Sequence, residues 1–333
     1  MCIRDRFITK TPFRISFFGG GTDLPSWSRE NGGKVLSTTF DKYCYISVRS
    51  LPEFFDHKYR IVYSKIENTK EINQIQHPAV REILRYFDIR KGLEIHHDSD
   101  LPARSGLGSS SSFSVGLINA LNSYKKKSFL KYDLASLAIH IEQDLIRECV
   151  GSQDQVAAAY GGFNEIEFHQ DSTFLVKPLA AKKSRLDELN DNLMLFFTGI
   201  QRFASEVSAS QIANIGNCTS EMNTLSDMVD QGVSILKNTN TSIDEFGFLL
   251  NESWNIKKTL SPNISSLKID ELYSSGLSCG ALGGKVLGAG GGGFMLFFVR
   301  PEDQHKVKAK LKNLVHVPFK FENSGSTFIL NGT

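Results

Sequence analysis

A loop rich in glycine and serine, Leu101–Ser112, has the residue types that bind phosphate. Gly106 and Gly108 let backbone N–H groups approach an anion without a Cβ in the way. The serines that follow lead into a helix with one apolar face, whose first turn adds unpaired N–H donors and a partial positive charge. Serine hydroxyls there could also bind a phosphate oxygen or magnesium, which prefers oxygen ligands. The alternative is a loop that only caps the helix.

Charged residues on both sides of this loop supply candidates for catalysis. Arg14 lies on a predicted strand that ends at three glycines, and Asp23 follows them, where a loop would present it to a ligand. Glu142 borders the apolar stripe of a predicted helix, and Asp154 falls in the first turn of the next helix, after a glycine turn. Both carboxylates could therefore converge on one cleft. A solvated charge is the alternative for Arg14, and a helix-start carboxylate for Asp23 or Asp154.

A second glycine-rich stretch, Gly288–Gly293, formally fits the dinucleotide pattern G-x-G-x-x-G. That pattern binds a dinucleotide only between a strand and a helix. In this sequence an apolar strand, FMLFFV, follows the glycines directly. A Walker A loop is absent too, because Gly33-Lys34 and Gly284-Lys285 are each followed by valine. The loop before the serine-rich helix is therefore the better phosphate site.

Alternating apolar residues predict the strands of the first half that would position these groups. They are a strand within Lys10–Asp23, strands at Lys34–Thr39, Tyr43–Arg49, Tyr59–Tyr63 and Leu93–His97, and a hairpin of Phe163–Phe168 with Thr173–Pro178. Apolar residues at helical spacing predict helices over Phe113–Tyr124 and Tyr132–Arg147, and a short helix within Val150–Gly162.

The second half begins after a charged segment, Lys182–Asp191, which is the predicted linker. A buried strand, Asn192–Thr198, follows it. Helices are predicted at Ser205–Ile215, Glu221–Asn238 and Ile243–Leu260, and the tail from 285 to 333 alternates strand, helix and strand. Because strands and helices do not alternate strictly, the pattern predicts two α+β domains, 7–181 and 191–333, instead of a doubly wound sheet.

The composition, with 333 residues of which 41% are hydrophobic and 22% charged, is that of an ordinary globular protein. A formal net charge of +2, without a basic run that contains aromatics, gives no indication of nucleic-acid binding. No apolar run is long enough to span a bilayer and no signal-peptide core is present, so no membrane contact is expected. Five scattered cysteines favour reduced thiols in the cytoplasm. Met1–Arg6 resembles a translated sequencing adaptor and is left out of the prediction.

Three segments, in this order along the chain, resemble the motifs of the GHMP kinases. The N-terminal motif of that family is similar to KTPFRISFFGGGTDLP at 10–25. Its phosphate-loop signature, P-x-x-x-G-L-G-S-S-A/S, is similar to LPARSGLGSSSS at 101–112. Its C-terminal glycine motif is similar to GGKVLGAGGGGFMLFFV at 283–299. Together the motifs extend over nearly the whole chain from residue 10 onward.

The resemblance implies an α+β, two-domain GHMP kinase fold, with an N-terminal domain like ribosomal protein S5 domain 2, a ferredoxin-like C-terminal domain, and ATP between them. It implies magnesium shared by Ser110 and Glu142, Asp154 as the catalytic aspartate, and Arg14 beside the transferring phosphate. The residues implied to bind the nucleotide are Arg104, Ser105, Gly106, Leu107, Gly108, Ser109, Ser110 and Ser111. Those implied to border the substrate are Gly20, Gly21, Thr22, Asp23, Gly290, Gly291 and Gly292.

Within the family, the sequence most resembles members that phosphorylate the anomeric hydroxyl of D-glycero-D-manno-heptose 7-phosphate. The resemblance therefore implies a sugar kinase that uses ATP and Mg²⁺ to make the 1,7-bisphosphate for nucleotide-activated heptose, and it leaves a homodimer open. Gly20-Gly21 stand where galactokinase has Glu-His, so galactose specificity does not carry over. The phosphate of the substrate would need its own anion site, for which the sequence offers candidates that it does not rank: Lys42, Lys58, Arg60, Arg104 and Arg202.

Three alternatives stay open on the sequence alone. One is a family kinase for L-fucose or an unphosphorylated hexose, and another is a nucleotide-binding regulator without catalysis. The third is a dinucleotide oxidoreductase. Glu142 and Asp154 argue against the regulator, and the strand after Gly293 argues against the oxidoreductase.

Overall fold

Two β-sheets with helices packed against them form the fold, which confirms the predicted α+β class. The structure is a computed structural model and describes residues 6–103, 105–200 and 204–332. The strands are β1 (Arg6–Phe18), β2 (Gly33–Ser50), β3 (Tyr59–Val62), β4 (Ile66–Thr69), β5 (Leu93–Ser99), β6 (Phe163–Phe168), β7 (Phe174–Pro178), β8 (Leu193–Phe197), β9 (Ala281–Val286), β10 (Phe294–Val299), β11 (Val315–Val317), β12 (Phe321–Glu322) and β13 (Thr327–Leu330).

Helices cover the sheets and carry most of the residues between the strands. They are α1 (Pro25–Asn31), α2 (Pro78–Tyr86), α3 (Ser109–Tyr124), α4 (Lys131–His140), α5 (Gln153–Tyr160), α6 (Lys183–Asp191), α7 (Ala204–Asn214), α8 (Thr219–Lys237), α9 (Asp244–Thr259), α10 (Leu267–Leu277) and α11 (Gln304–Lys310). A π-helical turn, Ile141–Leu145, continues α4. None of the helices in the described part of the chain is both long and apolar enough to cross a membrane.

The first sheet is built on β1 and β2, which pair antiparallel over most of their length. With 18 residues, β2 has room for two partners on its other edge: residues 33–38 pair with β6, and residues 44–50 pair with β5. The separate strands predicted at Lys34–Thr39 and Tyr43–Arg49 are therefore wrong, since they are one strand. Asp41 and Lys42 form a bulge in β2 opposite Pro12 and Phe13, and the pairing with β1 continues on both sides of it.

The second sheet has the strand order β11-β8-β10-β9, and its pairs are antiparallel. Numbered from β8, this order is 4-1-3-2, the arrangement of the ferredoxin-like domain that the resemblance implies. Its strand β10 is apolar throughout and fully buried, because α9 and α10 cover it. Phe297 and Phe298 lie against glycines of these two helices, where a Cβ would clash with their rings.

Two predictions for the rest of the chain are wrong, and two elements were not predicted. The predicted linker, Lys182–Asp191, is largely the helix α6, because Leu189 is buried in the core and the Arg185 guanidinium donates to two carbonyls of the second half. The predicted helix Tyr132–Arg147 changes to a π turn at Ile141. The helix α10 and the strand β9 were not expected as separate elements.

The division into domains 7–181 and 191–333 remains a proposal, and the sheets amend it at one end. The short strand β12 pairs with β2, and β13 pairs with β1. Residues 321–330 therefore complete the first sheet, although they follow the second sheet in sequence.

Candidate active site

Arg14 connects the strand β1 to the phosphate loop and to α5. The Arg14 side chain extends to Asp154 of α5 and is 4% exposed. Its Nε and Nη2 atoms donate to the two oxygens of Asp154 at 2.8 and 3.0 Å. Its Nη1 atom donates to the Gly106 carbonyl at 2.7 Å. Two predicted catalytic residues thus form a bidentate ion pair against the loop.

The segment Ser105–Gly108, the first glycine loop, lies directly beside the Asp154 carboxylate. A Cβ on Gly108 would lie 3.2 Å from Asp154 Oδ2, and its φ is +72°, so glycine lets the loop approach the carboxylate. The carbonyl of Leu107 accepts from the Arg14 backbone N–H at 3.1 Å. Asp154 keeps 24% of its side chain exposed, so it stays accessible to a ligand in the cleft.

Glu142 lies on the π-helical turn behind the start of α3 and is 1% exposed. Its Oε2 atom accepts from Ser111 Oγ at 2.9 Å and from Gln155 Nε2 at 2.6 Å. Burial raises the pKa of Glu142 to about 7, although hydrogen bonds from Ser114 and Ser111 oppose that rise. The structure thus gives Glu142 a partner in Ser111, while Ser110 lies on the exposed side of the helix start.

The surroundings of Glu142 fit a magnesium ion. Its Oε1 atom is buried and has no hydrogen-bond partner among the described residues. The same residues contain no group of three or more His, Cys, Asp or Glu that could hold a metal. Mg²⁺ is commonly held by one or two carboxylates with waters and phosphate oxygens, and Glu142 with a hydroxyl of α3 agrees with such a set. Magnesium shared by Ser110 and Glu142 stays a prediction.

The loop Gly19–Asp23 is held to the same helix. Asp23 is 2% exposed, and its oxygens accept from the backbone and the side chain of Gln153 and from the Gly21 N–H, at 3.0 to 3.1 Å. Burial, and then the charge of Asp154, raises the pKa of Asp23. The hydroxyl of Thr22 is fully buried and bonds to the carbonyls of Gly19 and Lys34. Thr22 therefore anchors the loop, and its only hydrogen is used within the protein.

The segment Gly288–Gly293, the second glycine loop, meets the first one. A Cβ on Gly288 would lie 2.6 Å from Gly106 Cα, so the two backbones are in direct contact. Gly291 N–H donates to the Ile264 carbonyl at 2.8 Å, and Gly293 N–H donates to the Ile200 carbonyl at 2.7 Å. The residues implied to border the substrate, 290–292, are thus next to the phosphate loop, but the N–H group of Gly291 is already bound.

Two buried lysines near this junction were missed from the sequence. Lys257 on α9 is 5% exposed and donates from Nζ to the Gly288 carbonyl at 2.5 Å. Burial and the charge of Arg14 lower the pKa of Lys257 to about 8, while Asp23 and Asp154 oppose the shift. One signal was available: Lys257 falls on the apolar face of its helix, seven residues after the buried Leu250.

The second of these lysines, Lys285 on β9, is 2% exposed and donates to the Phe17 carbonyl at 2.6 Å. Burial, and then the charges of Lys257 and Arg14, lower its pKa. The sequence marked this lysine only as the end of a failed Walker A pattern. Arg14 and Lys257 thus place positive charge near the carboxylates Asp23 and Asp154, and such charge suits a phosphate.

The structure describes three of the five residues that the sequence offers for a second anion site. Arg104 and Arg202 lie outside the described residues. Lys42 pairs with Asp41 at 3.1 Å, and Arg60 lies 3.4 Å from Glu94. Lys58 lies over the ring of Tyr59. None of these contacts distinguishes a site for the substrate phosphate.

Known proteins resemble this chain over nearly its full length. The profile of the GHMP kinases N terminal domain matches residues 73–162, and that of the GHMP kinases C terminal matches residues 235–316. The chain is 32% identical to D-glycero-alpha-D-manno-heptose 7-phosphate kinase of Campylobacter jejuni, over 95% of this chain and 97% of that protein. It is 26% identical to L-fucokinase/L-fucose-1-P guanylyltransferase of Bacteroides fragilis, over 90% of this chain and 35% of that protein.

A solved structure supports the same grouping. A D-glycero-D-manno-heptose 1-phosphate kinase from Bacteriodes thetaiotaomicron has 26% sequence identity with this chain and a TM-score of 0.79. The match covers 97% of this chain and 98% of that one.

Proposed function

The chain belongs to the GHMP kinase family, and we propose that it transfers a phosphoryl group from ATP to the anomeric hydroxyl of D-glycero-D-manno-heptose 7-phosphate, which gives the 1,7-bisphosphate. Sugar kinase activity follows from the family and its heptose-phosphate relatives, and GHMP kinases use ATP as the phosphate donor. The main observation in support of phosphoryl transfer is the Arg14–Asp154 ion pair, which lies beside the first glycine loop. The choice of acceptor rests on the similarity to the Campylobacter protein.

Asp154 is the residue that we assign to the acceptor hydroxyl. Phosphoryl transfer needs an in-line hydroxyl and positive charge on the phosphates more than it needs covalent chemistry from the protein. Arg14 fixes both oxygens of Asp154, so this carboxylate can orient the hydroxyl or take its proton without turning away. Arg14 and Lys257 add positive charge at the point where the two glycine loops meet.

We assign the nucleotide phosphates to the first glycine loop and the start of α3. The carbonyls of Ser105, Gly106 and Leu107 are bound within the protein, which supports N–H groups turned to the ligand side. Magnesium, when bound at Glu142 and a hydroxyl of α3, neutralises charge on the phosphates. We place the reaction in the cytoplasm, where ATP is available and where the four described cysteines, all free, stay reduced.

L-fucose is the second candidate acceptor, because the Bacteroides fragilis relative aligns with 90% of this chain. The Bacteriodes structure adds a different question, since that protein is described as a heptose 1-phosphate kinase. The position of the phosphate that is already on the sugar therefore needs its own test.

A sugar panel with ATP and Mg²⁺, followed by ADP release, tests the proposal. The panel contains heptose 7-phosphate, heptose 1-phosphate, L-fucose, mannose and galactose, and ³¹P NMR locates the new phosphate. Turnover of heptose 7-phosphate with a new anomeric phosphate supports the proposal. If only L-fucose or a free hexose is turned over, the heptose 7-phosphate assignment is wrong and that sugar is the acceptor. If no sugar is turned over, the result favours a nucleotide-binding regulator. The Asp154→Asn variant, purified in parallel, controls for contaminating kinases.

A further inference from the structure

Three buried polar atoms around the loop Gly19–Asp23 have no hydrogen-bond partner among the described residues. They are Ser16 Oγ, Gln153 Oε1 and Gln211 Nε2, in side chains that are 4%, 8% and 4% exposed. A buried donor or acceptor without a partner costs free energy, so native proteins rarely leave one unpaired. Several such atoms at one place indicate a ligand that would pair with them.

Two adjacent glycines of this loop lie against the three side chains. A Cβ on Gly20 would lie 3.5 Å from Ser16 Oγ and 3.8 Å from Gln153 Nε2. A Cβ on Gly21, whose φ is +108°, would lie 2.5 Å from Gln211 Nε2. A side chain at position 21 would therefore displace the amide of Gln211. Because position 21 lacks a side chain, Gln211 of α7 reaches the loop that follows β1.

The three atoms differ in their hydrogen-bonding roles. Gln153 Nε2 donates to Asp23 Oδ1 at 3.0 Å, which fixes the amide so that its Oε1 atom is the acceptor. Gln211 offers an N–H donor, and the Ser16 hydroxyl can donate or accept. A sugar hydroxyl needs both a donor and an acceptor, and none of these three side chains carries a charge. The set therefore suits neutral hydroxyls better than a phosphate.

The site also lies next to the reacting group. Gln153 immediately precedes Asp154, and its backbone N–H binds Asp23 Oδ2 at 3.1 Å. A sugar whose anomeric hydroxyl meets Asp154 would thus have a neighbouring ring hydroxyl within reach of the Gln153 amide.

We propose that Ser16, Gln153 and Gln211 form the floor of the sugar site, and that Gln211 recognises one ring hydroxyl by donating a hydrogen bond to it. This inference rests on the proposed sugar kinase activity and deepens it, because it assigns specificity to a residue of the second half of the chain. Glycine at position 21 makes the recognition possible, since it leaves the space that the Gln211 amide occupies.

The test compares Gln211→Met, which keeps the length and removes the polar atoms, with Gln211→Glu, which replaces the donor by an acceptor. Gln231→Met, on the exposed face of α8, is the matched control. Steady-state kinetics use heptose 7-phosphate and its 2-deoxy, 3-deoxy and 4-deoxy forms. We expect both Gln211 variants to lower kcat/KM for the sugar about tenfold, with an unchanged KM for ATP. ATP binding by titration shows that the variants are folded.

The deoxy sugars separate recognition from packing. For one of them, the wild type should be no better than Gln211→Met, because the hydroxyl that Gln211 recognises is missing. If the variants lose nothing, or lose the same factor on all of the deoxy forms, the inference is wrong. If the panel shows a different sugar to be the substrate, the heptose assignment fails, and the same comparison with deoxy forms of that sugar still decides the role of Gln211. Absence of any sugar turnover would refute both.

Discussion

The two glycine loops look alike in sequence and are used differently in the fold. The first one, Ser105–Gly108, opens the long helix α3, and its carbonyls accept bonds from Arg14 and from Phe294 N–H. The second one, Gly288–Gly293, runs into the buried strand β10, and the N–H groups of Gly291 and Gly293 are bound to carbonyls of the second half. The first loop is the one to which we assign the nucleotide phosphates, and the second is in direct backbone contact with it at Gly106 and Gly288.

Each loop also lies beside a charged side chain. Asp154 borders the first loop at Gly108, and Lys257 holds the second loop by the Gly288 carbonyl. The difference teaches that glycine content alone does not identify a phosphate site. What distinguishes the loops is which backbone groups are already bound and which charge lies beside them. Each of the following experiments alters one of these two features.

Asp154→Asn should have the largest effect, because it removes the carboxylate beside the first loop. General-base assistance is typically worth ~10²–10⁴-fold, so we expect turnover to fall by at least ~100-fold. Affinity for ATP should change little, since the loop keeps its backbone. Asp144→Asn, an exposed carboxylate paired with His140, is the control. Near-normal turnover of the Asp154 variant in a single-turnover assay would remove this residue from the mechanism.

Lys257→Met comes next, because it removes the charge beside the second loop. A hydrogen bond to a charged group is worth about 1.5–3 kcal/mol, so kcat/KM for ATP should fall roughly ten- to a hundredfold. Methionine of similar length can fill a buried site without loss of stability. A drop in activity with an unchanged melting temperature would therefore show that the missing charge, and not a loss of stability, lowers the activity. Lys258→Met, whose ammonium is 3.9 Å from Asp270 and partly exposed, should behave as wild type.

The same lysine predicts a pH dependence. With its pKa lowered to about 8, Lys257 is charged below that pH and loses its proton as the pH rises through it. Burial and the charge of Arg14 favour this loss, and Asp23 and Asp154 oppose it. We expect kcat/KM for ATP to decline above pH 8, and Lys257→Arg, which stays charged, to remove that decline. An identical profile in the arginine variant would assign the decline to another group.

Gly288→Ala should have the smallest effect, because it only disturbs the contact between the loops. Its φ is +71°, and the new Cβ would lie 2.6 Å from Gly106 Cα. We expect ATP affinity to fall about tenfold and the free energy of unfolding to fall by about 1–3 kcal/mol. Gly199→Ala is a close control, since Gly199 has the same φ and nothing within 4 Å of its Cβ. Equal losses of ATP affinity in the two variants would show that the contact is unimportant.

The sequence predicted the parts of the site that are local in the chain. The strand with Arg14, the phosphate loop and the helix with Asp154 have short-range patterns, and the structure joins Arg14 to Asp154. Whether Ser110 or Ser111 faces Glu142 depends on the residue at which α3 begins. Four consecutive serines do not reveal that residue. The π turn at Glu142 is equally hidden, because it preserves an apolar stripe. Lys257 was missed because apolar periodicity identifies the buried face of a helix but does not identify a charged residue that is buried on that face.

The return of β12 and β13 to the first sheet has a consequence for how the enzyme is made. During synthesis the N-terminal half leaves the ribosome long before residues 321–330. Until then, the backbone groups of β1 and β2 that pair with β13 and β12 have no partner. The nascent chain must keep these groups from pairing with other chains until the entire second sheet has been translated. The nascent chain should therefore gain nucleotide affinity only after this segment has been made. A chain truncated within it should aggregate instead of folding into a shorter active kinase.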